Sequence, residues 1–220
     1  QLLSDDDSGV RSAAVRALGP LAATDSAIQG DLRQLLSDRD SSVRSAAVRA
    51  LGPLAATDGT IKADLRQLLS DSSFSRWLYN NVLLAAVEAL RPLAATDSAI
   101  RGDLRQLLSN NNISVRHAAY GALGALAATD DAIRADLRQL RSNADRSLRL
   151  AAVEALGPLA ATDDAIRADL RQLLSDDDSG VRSAAVRALV PLAATDGAIR
   201  AELRQRLSDR DSSVRSAAVE

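Results

Sequence analysis

Apolar positions recur along the chain at helical spacing and break at regular intervals. Within residues 25–58, Ile28, Leu32, Leu35 and Leu36 fall at i, i+4, i+7 and i+8 and make one stripe, with Arg33 and Gln34 off it. Thr24 and Asp25 precede that stripe and can accept hydrogen bonds from the free amides that open a helix. Residues 37–40 have turn chemistry, and Asp40 or Ser41 is the expected cap of a second helix. That helix should bury Val43, Ala46, Ala47, Ala50, Leu51 and Leu54. Alanine at so many inward positions lets helix axes approach near the short end of the ~8–10 Å range.

The same two-helix unit recurs from end to end. The pentapeptide LAATD closes at Asp25, Asp58, Asp97, Asp130, Asp163 and Asp196, with separations of 33, 39, 33, 33 and 33 residues. A period of this length predicts stacked repeats rather than one globular core. The expected organisation is a single elongated array over 1–220, with repeats at 1–25 (partial), 26–58, 59–97 (carrying a six-residue insertion), 98–130, 131–163, 164–196 and 197–220 (partial). Both termini fall inside a predicted helix, Gln1 in register with Gln34 and Glu220 with Arg49, which suggests a piece of a longer array without polar end caps.

Every proline occupies one repeat position: Pro20, Pro53, Pro92, Pro158 and Pro191, with Ala125 as the exception. Inside a helix, proline removes one backbone hydrogen bond and costs on the order of 3 kcal/mol. Here it should bend or end the second helix and turn LAATD into the link to the next unit.

The pattern D-x-x-V-R-x-A-A-x-x-A-L-G, read at Asp40, Val43, Arg44, Ala46, Ala47, Ala50, Leu51 and Gly52, resembles HEAT repeats, most closely the short bacterial type also found in phycobilin lyases. The resemblance covers essentially the whole chain. It implies an all-α fold, a HEAT-like solenoid of helix pairs stacked into a right-handed superhelix with the second helices on the concave side. It also implies an Asp/Arg ladder along the turns. Asp7/Arg11, Asp40/Arg44, Asp145/Arg149, Asp178/Arg182 and Asp211/Arg215 keep both members. Tyr79 and Leu83 replace both in the third repeat, and Asn112 stands beside Arg116 in the fourth. An Arg fork on a partly shielded carboxylate would set repeat-to-repeat register.

The central repeats depart from the flanking ones in two places. Residues 72–81, SSFSRWLYNN, hold Phe74, Trp77 and Tyr79, three of the four aromatic residues in the chain. Phe74, Trp77 and Leu78 share one face of a short helical turn that Asn80 and Asn81 could stop. The cluster either packs down on neighbouring turns or presents a partner-binding knuckle. The second place is the set of variable positions in V-R-x-A-A-x-x-A-L. They read Ser45, Val48 and Arg49 in a typical repeat, and Leu84, Val87 and Glu88, then His117, Tyr120 and Gly121, then Leu150, Val153 and Glu154 in the central three. If these positions face one groove, they form an apolar stripe flanked by glutamates, suited to an extended or helical peptide with apolar anchors and a basic group.

Composition narrows the chemistry. Lys and Arg total 27 against 29 Asp and Glu, a net charge of -2, which supplies no general attraction to nucleic acid or to an anionic membrane. There is no Cys, and His117 is the only His, so neither a thiolate nor a His-based metal cluster is available. No phosphate loop or nucleophile elbow occurs. Glu88 and Glu154 sit two repeats apart, about 18 Å at ~9 Å per helix layer, too far for a glycosidase pair at ~5–9.5 Å. No targeting signal is visible, and a cytoplasmic location is expected.

These features point to a non-enzymatic protein- or peptide-binding scaffold that needs no cofactor. Its partner is a protein or peptide rather than a membrane or nucleic acid, with end-to-end self-association through the terminal repeats as an added possibility. Three alternatives stay open: a nucleic-acid-binding HEAT protein, a bilin-lyase-like or cofactor-handling one, and an engineered repeat binder.

Overall fold

The computed structural model describes residues 2–70 and 80–219, and all of its regular structure is helical. The chain divides into two compact units, Gln1–Ala122 and Leu123–Glu220. The first contains α1 (Ser8–Leu18), α2 (Ser26–Gln34), α3 (Ser41–Leu51), α4 (Gly59–Ser70), α5 (Asn80–Leu90), α6 (Ser98–Gln106) and most of α7 (Ile113–Gly124). The second contains α8 (Asp131–Gln139), α9 (Arg146–Leu156), α10 (Asp164–Leu173), α11 (Ser179–Leu189), α12 (Gly197–Arg206) and α13 (Ser212–Ala217). The 33-residue period runs through both. Among the described residues no helix is long and apolar enough to cross a membrane.

The start signals act as the sequence predicts. Asp25 Oδ1 accepts the amides of Ala27 and Ile28, and Asp163 those of Ala165 and Ile166, at 2.9–3.2 Å. Thr24 does not share that role: its hydroxyl donates backward to the Leu21 carbonyl, which also accepts the backbone amides of Thr24 and Asp25. The second helices are capped by Asp7, Asp40, Asp145, Asp178 and Asp211. Asn80 and Asn81, expected to stop a turn, are instead the first residues of α5. Asparagine suits a helix opening as well as an end, because its short polar side chain competes with backbone partners at both.

Each proline sits at the first or second position of a 3-10 turn that follows a second helix, as in Gly52–Ala56 and Gly157–Leu159. The ring therefore ends the α-helix where its missing N–H costs least. In the fourth repeat, with Ala125 there, α7 passes into hydrogen-bonded turns.

Packing follows the two-helix unit. In the first unit α3 packs on α1, α2 and α5, and α5 on α4; in the second, α11 packs on α9, α10 and α13. Leu32, Val43, Leu51, Leu65, Leu90, Ile133, Leu148 and Ile166 are fully buried between the layers. Neighbouring second helices cross closely where one ends in glycine. A Cβ on Gly52 would stand 2.9 Å from the Ala89 Cβ, and one on Gly157 would stand 3.2 Å from that of Ala188. The A-L-G signature thus encodes a small-on-small contact between successive repeats.

Candidate functional site

Within their units α3 and α11 are each enclosed on three sides, by their own first helix and by the second helices before and after. Only a narrow row stays accessible, at i, i+3, i+7 and i+11. In α3 and its following turn that row is Ser42, Ser45, Arg49 and Pro53, of which Ser45 is covered; in α5 and its turn it is Asn81, Leu84, Glu88 and Pro92. The corresponding residues of α7 include His117 and Gly121, and those of α9 include Leu150 and Glu154.

The sequence-predicted site divides along this line. Glu88, His117, Gly121 and Glu154 are exposed, and Leu84 and Leu150 are half-buried. Val87, Tyr120 and Val153 were expected on the same presented face and are instead 1%, 4% and 2% exposed. Their position lies beside the core leucine on the helix wheel, so it packs rather than presents. Tyr120 also donates its hydroxyl to the Leu108 carbonyl at 3.4 Å, tying it to its own repeat. Leu84 and His117 belong to the first unit and Leu150 to the second. Phe74, Trp77 and Tyr79 lie outside the described residues.

Ser45 and Ser183 carry a structural role that the sequence pattern did not reveal. Both are 3% exposed, and their hydroxyls donate to the backbone of the next repeat, at Asn81 O (3.4 Å) and Ser213 O (3.2 Å). Leucine or histidine at this position, as at 84, 117 and 150, replaces that link with a larger and more accessible side chain.

The Asp/Arg ladder exists, but with a different pairing from the one expected. Among the described residues, Asp7, Asp178 and Asp211 cap helix amides and do not pair with the arginine four residues on. Arg11 instead reaches 27 residues ahead to Asp38, through Nε at 2.9 Å and a terminal nitrogen at 2.8 Å. Arg149 grips Asp176 in the same way, and Arg182 grips Asp209, with contacts of 2.8–3.0 Å. These are fork-on-carboxylate pairs with both side chains at most 9% exposed. The remaining guanidinium nitrogen of Arg149 donates to the carbonyls of Asn143 and Ala144, which pins its own turn.

Each acceptor aspartate also takes the amide of the residue two positions on, as Asp38 does from Asp40 and Asp209 from Asp211. The D-x-D sequence therefore sets one carboxylate to close the turn and hold the preceding repeat, and the next to cap the helix. Hydrogen bonding from the arginine fork holds Asp38 and Asp209 below the usual carboxylate range. For Asp176, burial pushes upward, but Arg149 and the Asp178 amide outweigh it and the net direction is down. In the third repeat the arginine position is Leu83, 8% exposed, and 27 residues on stands Asn110, which still closes its turn on the Asn112 amide. Loss of the cation is thus matched by loss of the anion.

A second ladder joins the first helices: Arg33–Asp64, Arg66–Asp103, Arg138–Asp169 and Arg171–Glu202. These are more exposed and contribute correspondingly less. Among the described residues no group of three or more His, Cys, Asp or Glu side chains converges as a metal site would.

The accessible rows of α1, α3 and α5 border two adjoining grooves in the first unit. One, of about 560 Å³, is lined by Arg16, Pro20, Arg49, Pro53 and Leu54 among others. The next, of about 340 Å³, shares Arg49 and Pro53 and adds Glu88 and Pro92. The prolines, read from sequence only as helix terminators, are exposed here and supply apolar walls.

Comparison with known proteins agrees with this geometry. The family model for HEAT repeats matches residues 1–77 and 134–220. The X-ray structure of Escherichia coli YibA superposes with a TM-score of 0.68 at 16% identity, covering 98% of this chain and 77% of that one. An engineered protein superposes with a TM-score of 0.51 at 24% identity, covering 99% of this chain and 65% of that one. At these identities the two structures show likeness of fold alone. No curated protein matches. Two-helix units at a 33-residue period, glycine-on-alanine crossings between successive second helices and the family match together place this chain in the HEAT-repeat family, with an all-α, HEAT-like solenoid fold.

Proposed function

We propose that this chain is a non-enzymatic scaffold that holds a protein or peptide segment along the accessible row of its second helices. One observation carries the reading. In the central repeats the row changes to Leu84 and Glu88, His117 and Gly121, and Leu150 and Glu154, while buried neighbours such as Ala85, Ala86, Ala151 and Ala152 stay alanine. Chemical variety at accessible positions beside a constant alanine support suits recognition. HEAT repeats commonly mediate protein interactions, which favours the same reading.

The test is selection of binders from a display library of random short peptides. The enriched peptides are then titrated against the wild type and against a variant carrying Leu84→Ser and His117→Ser, both in the first unit. Loss of affinity of about tenfold or more, ~1.4 kcal/mol, with unchanged thermal unfolding supports the reading. Failure to enrich any peptide, or equal binding by the variant, refutes it.

A further inference from the structure

The adjoining grooves of the first unit have a charge order that their occupant must match. Arg16 and Arg49 occupy equivalent places one repeat apart, both are exposed, and neither has an ion-pair partner among the described residues. Arg16 only donates to the Ser12 hydroxyl, at 2.9 Å. No carboxylate lines the groove they share, and its remaining lining is serine, alanine, glycine, proline, leucine and Asn81. One repeat further, across Pro53, the adjoining groove presents Glu88. The row therefore reads cation, cation, anion, with proline rings between. This differs from the ladder arginines, whose charges are spent on Asp38, Asp176 and Asp209 inside the stack.

We infer that this groove takes an extended peptide with two acidic residues and one basic residue at intervals of about three, separated by apolar side chains. The spacing follows from geometry. Successive second helices lie ~8–10 Å apart, and an extended chain in the polyproline II conformation advances ~3.1 Å per residue with three residues per turn, so each repeat is crossed in about three residues and every third side chain faces the groove. The acids fall over Arg16 and Arg49 and the base over Glu88. Side chains between them rest against Pro20, Pro53 and Leu54. A polyproline II segment lying across the helices leaves its own backbone polar groups to water and to the groove serines, so recognition rests on side chains. This inference rests on the scaffold reading above and names the partner chemistry for that same surface.

The probe is a fluorescein-labelled heptapeptide with glutamate at its first and fourth places, lysine at its seventh and apolar residues between. The reversed sequence is measured alongside it, because the groove does not fix chain direction. Fluorescence anisotropy is read with the full chain at low and moderate salt. Binding by one direction, falling tenfold or more in Arg16→Gln/Arg49→Gln and weakening with salt, is the expected result. Glu88→Lys should reverse the preference at the last place, so that a probe ending in glutamate binds it better than the lysine probe does. Absence of binding by both directions overturns the inference. Equal binding of a probe with glutamine for both glutamates overturns the charge order yet leaves the scaffold reading standing, whereas the scaffold reading falls only if the display selection also fails. All three substituted residues are exposed, so unchanged circular dichroism and unfolding are expected and serve as the folding control.

Discussion

Replacing Asp176 by asparagine isolates the interaction that sets repeat register in the second unit. Asp176 receives both arms of Arg149 at 2.8 Å, with side-chain exposures of 9% for the arginine and 7% for the aspartate. Removing one partner of a buried pair costs about 3–5 kcal/mol, because the other charge is left desolvated and uncompensated. Arg149 retains a contact of 2.6 Å to Asp177, but that carboxylate is 89% exposed, a setting worth only about 0–1 kcal/mol. The two carbonyls that Arg149 also reaches are unaffected. Asp176→Asn should therefore cost about 3 kcal/mol, at the low end of that range. Arg149→Leu should cost a similar amount, since it strands the carboxylate. The double variant reproduces what the chain itself carries at Leu83 and Asn110, an apolar side chain facing a neutral turn residue 27 positions on. It should cost about 3 kcal/mol rather than the additive ~6, a coupling of about 3 kcal/mol. Urea unfolding followed by far-UV circular dichroism, with amide exchange resolved over α9 and α11, measures all three. Additivity within ~0.5 kcal/mol would refute the claim that the pair acts as one buried unit.

Other consequences follow from the same contacts. Gly52→Ala drives a methyl to 2.9 Å from the Ala89 Cβ, so chemical denaturation should show a loss of about 1–3 kcal/mol that Ala89→Gly partly restores. Asp163→Ala removes the acceptor for the Ala165 and Ile166 amides and should cost about 1 kcal/mol, whereas Asp163→Asn should cost little. Asp38, Asp176 and Asp209 all titrate below their unfolded range. Their contribution is complete above the unfolded carboxylate value of about 4 and is lost as pH falls through the lower folded value. Acid titration of unfolding free energy should accordingly steepen below about pH 4, and Asp209→Asn should be measurably less acid-sensitive in that window. A variant as steep as wild type would count against the ladder as a source of acid lability.

Much of this architecture can be read from residue order, because it is local. LAATD gives the helix openings through Asp25 and its equivalents, and the single proline position gives the ends of the second helices. The ladder was half visible. Arg11 and its equivalents are conspicuous, but in D-x-D only three-dimensional stacking shows that the first carboxylate meets the previous repeat while the second caps its own helix. A recurrence at 27 residues, paired with the joint change to Leu83 and Asn110, was the available signal. Val87, Tyr120 and Val153 look presentable on an isolated helix, but the folded chain buries all three. Conversely, exposed prolines read as helix stops also wall a groove, which becomes visible only when two repeats stand side by side.

On the scaffold reading proposed above, recognition resides in the accessible row of the second helices and not in the first helices. Backbone amide chemical-shift mapping of the isotopically labelled chain with the glutamate–lysine probe addresses it directly. The account predicts perturbations concentrated around Arg16, Arg49 and Glu88 and the turns at Pro20 and Pro53. Perturbations centred on the outer surfaces of α2, α4 and α6, or spread evenly over the chain, would contradict it.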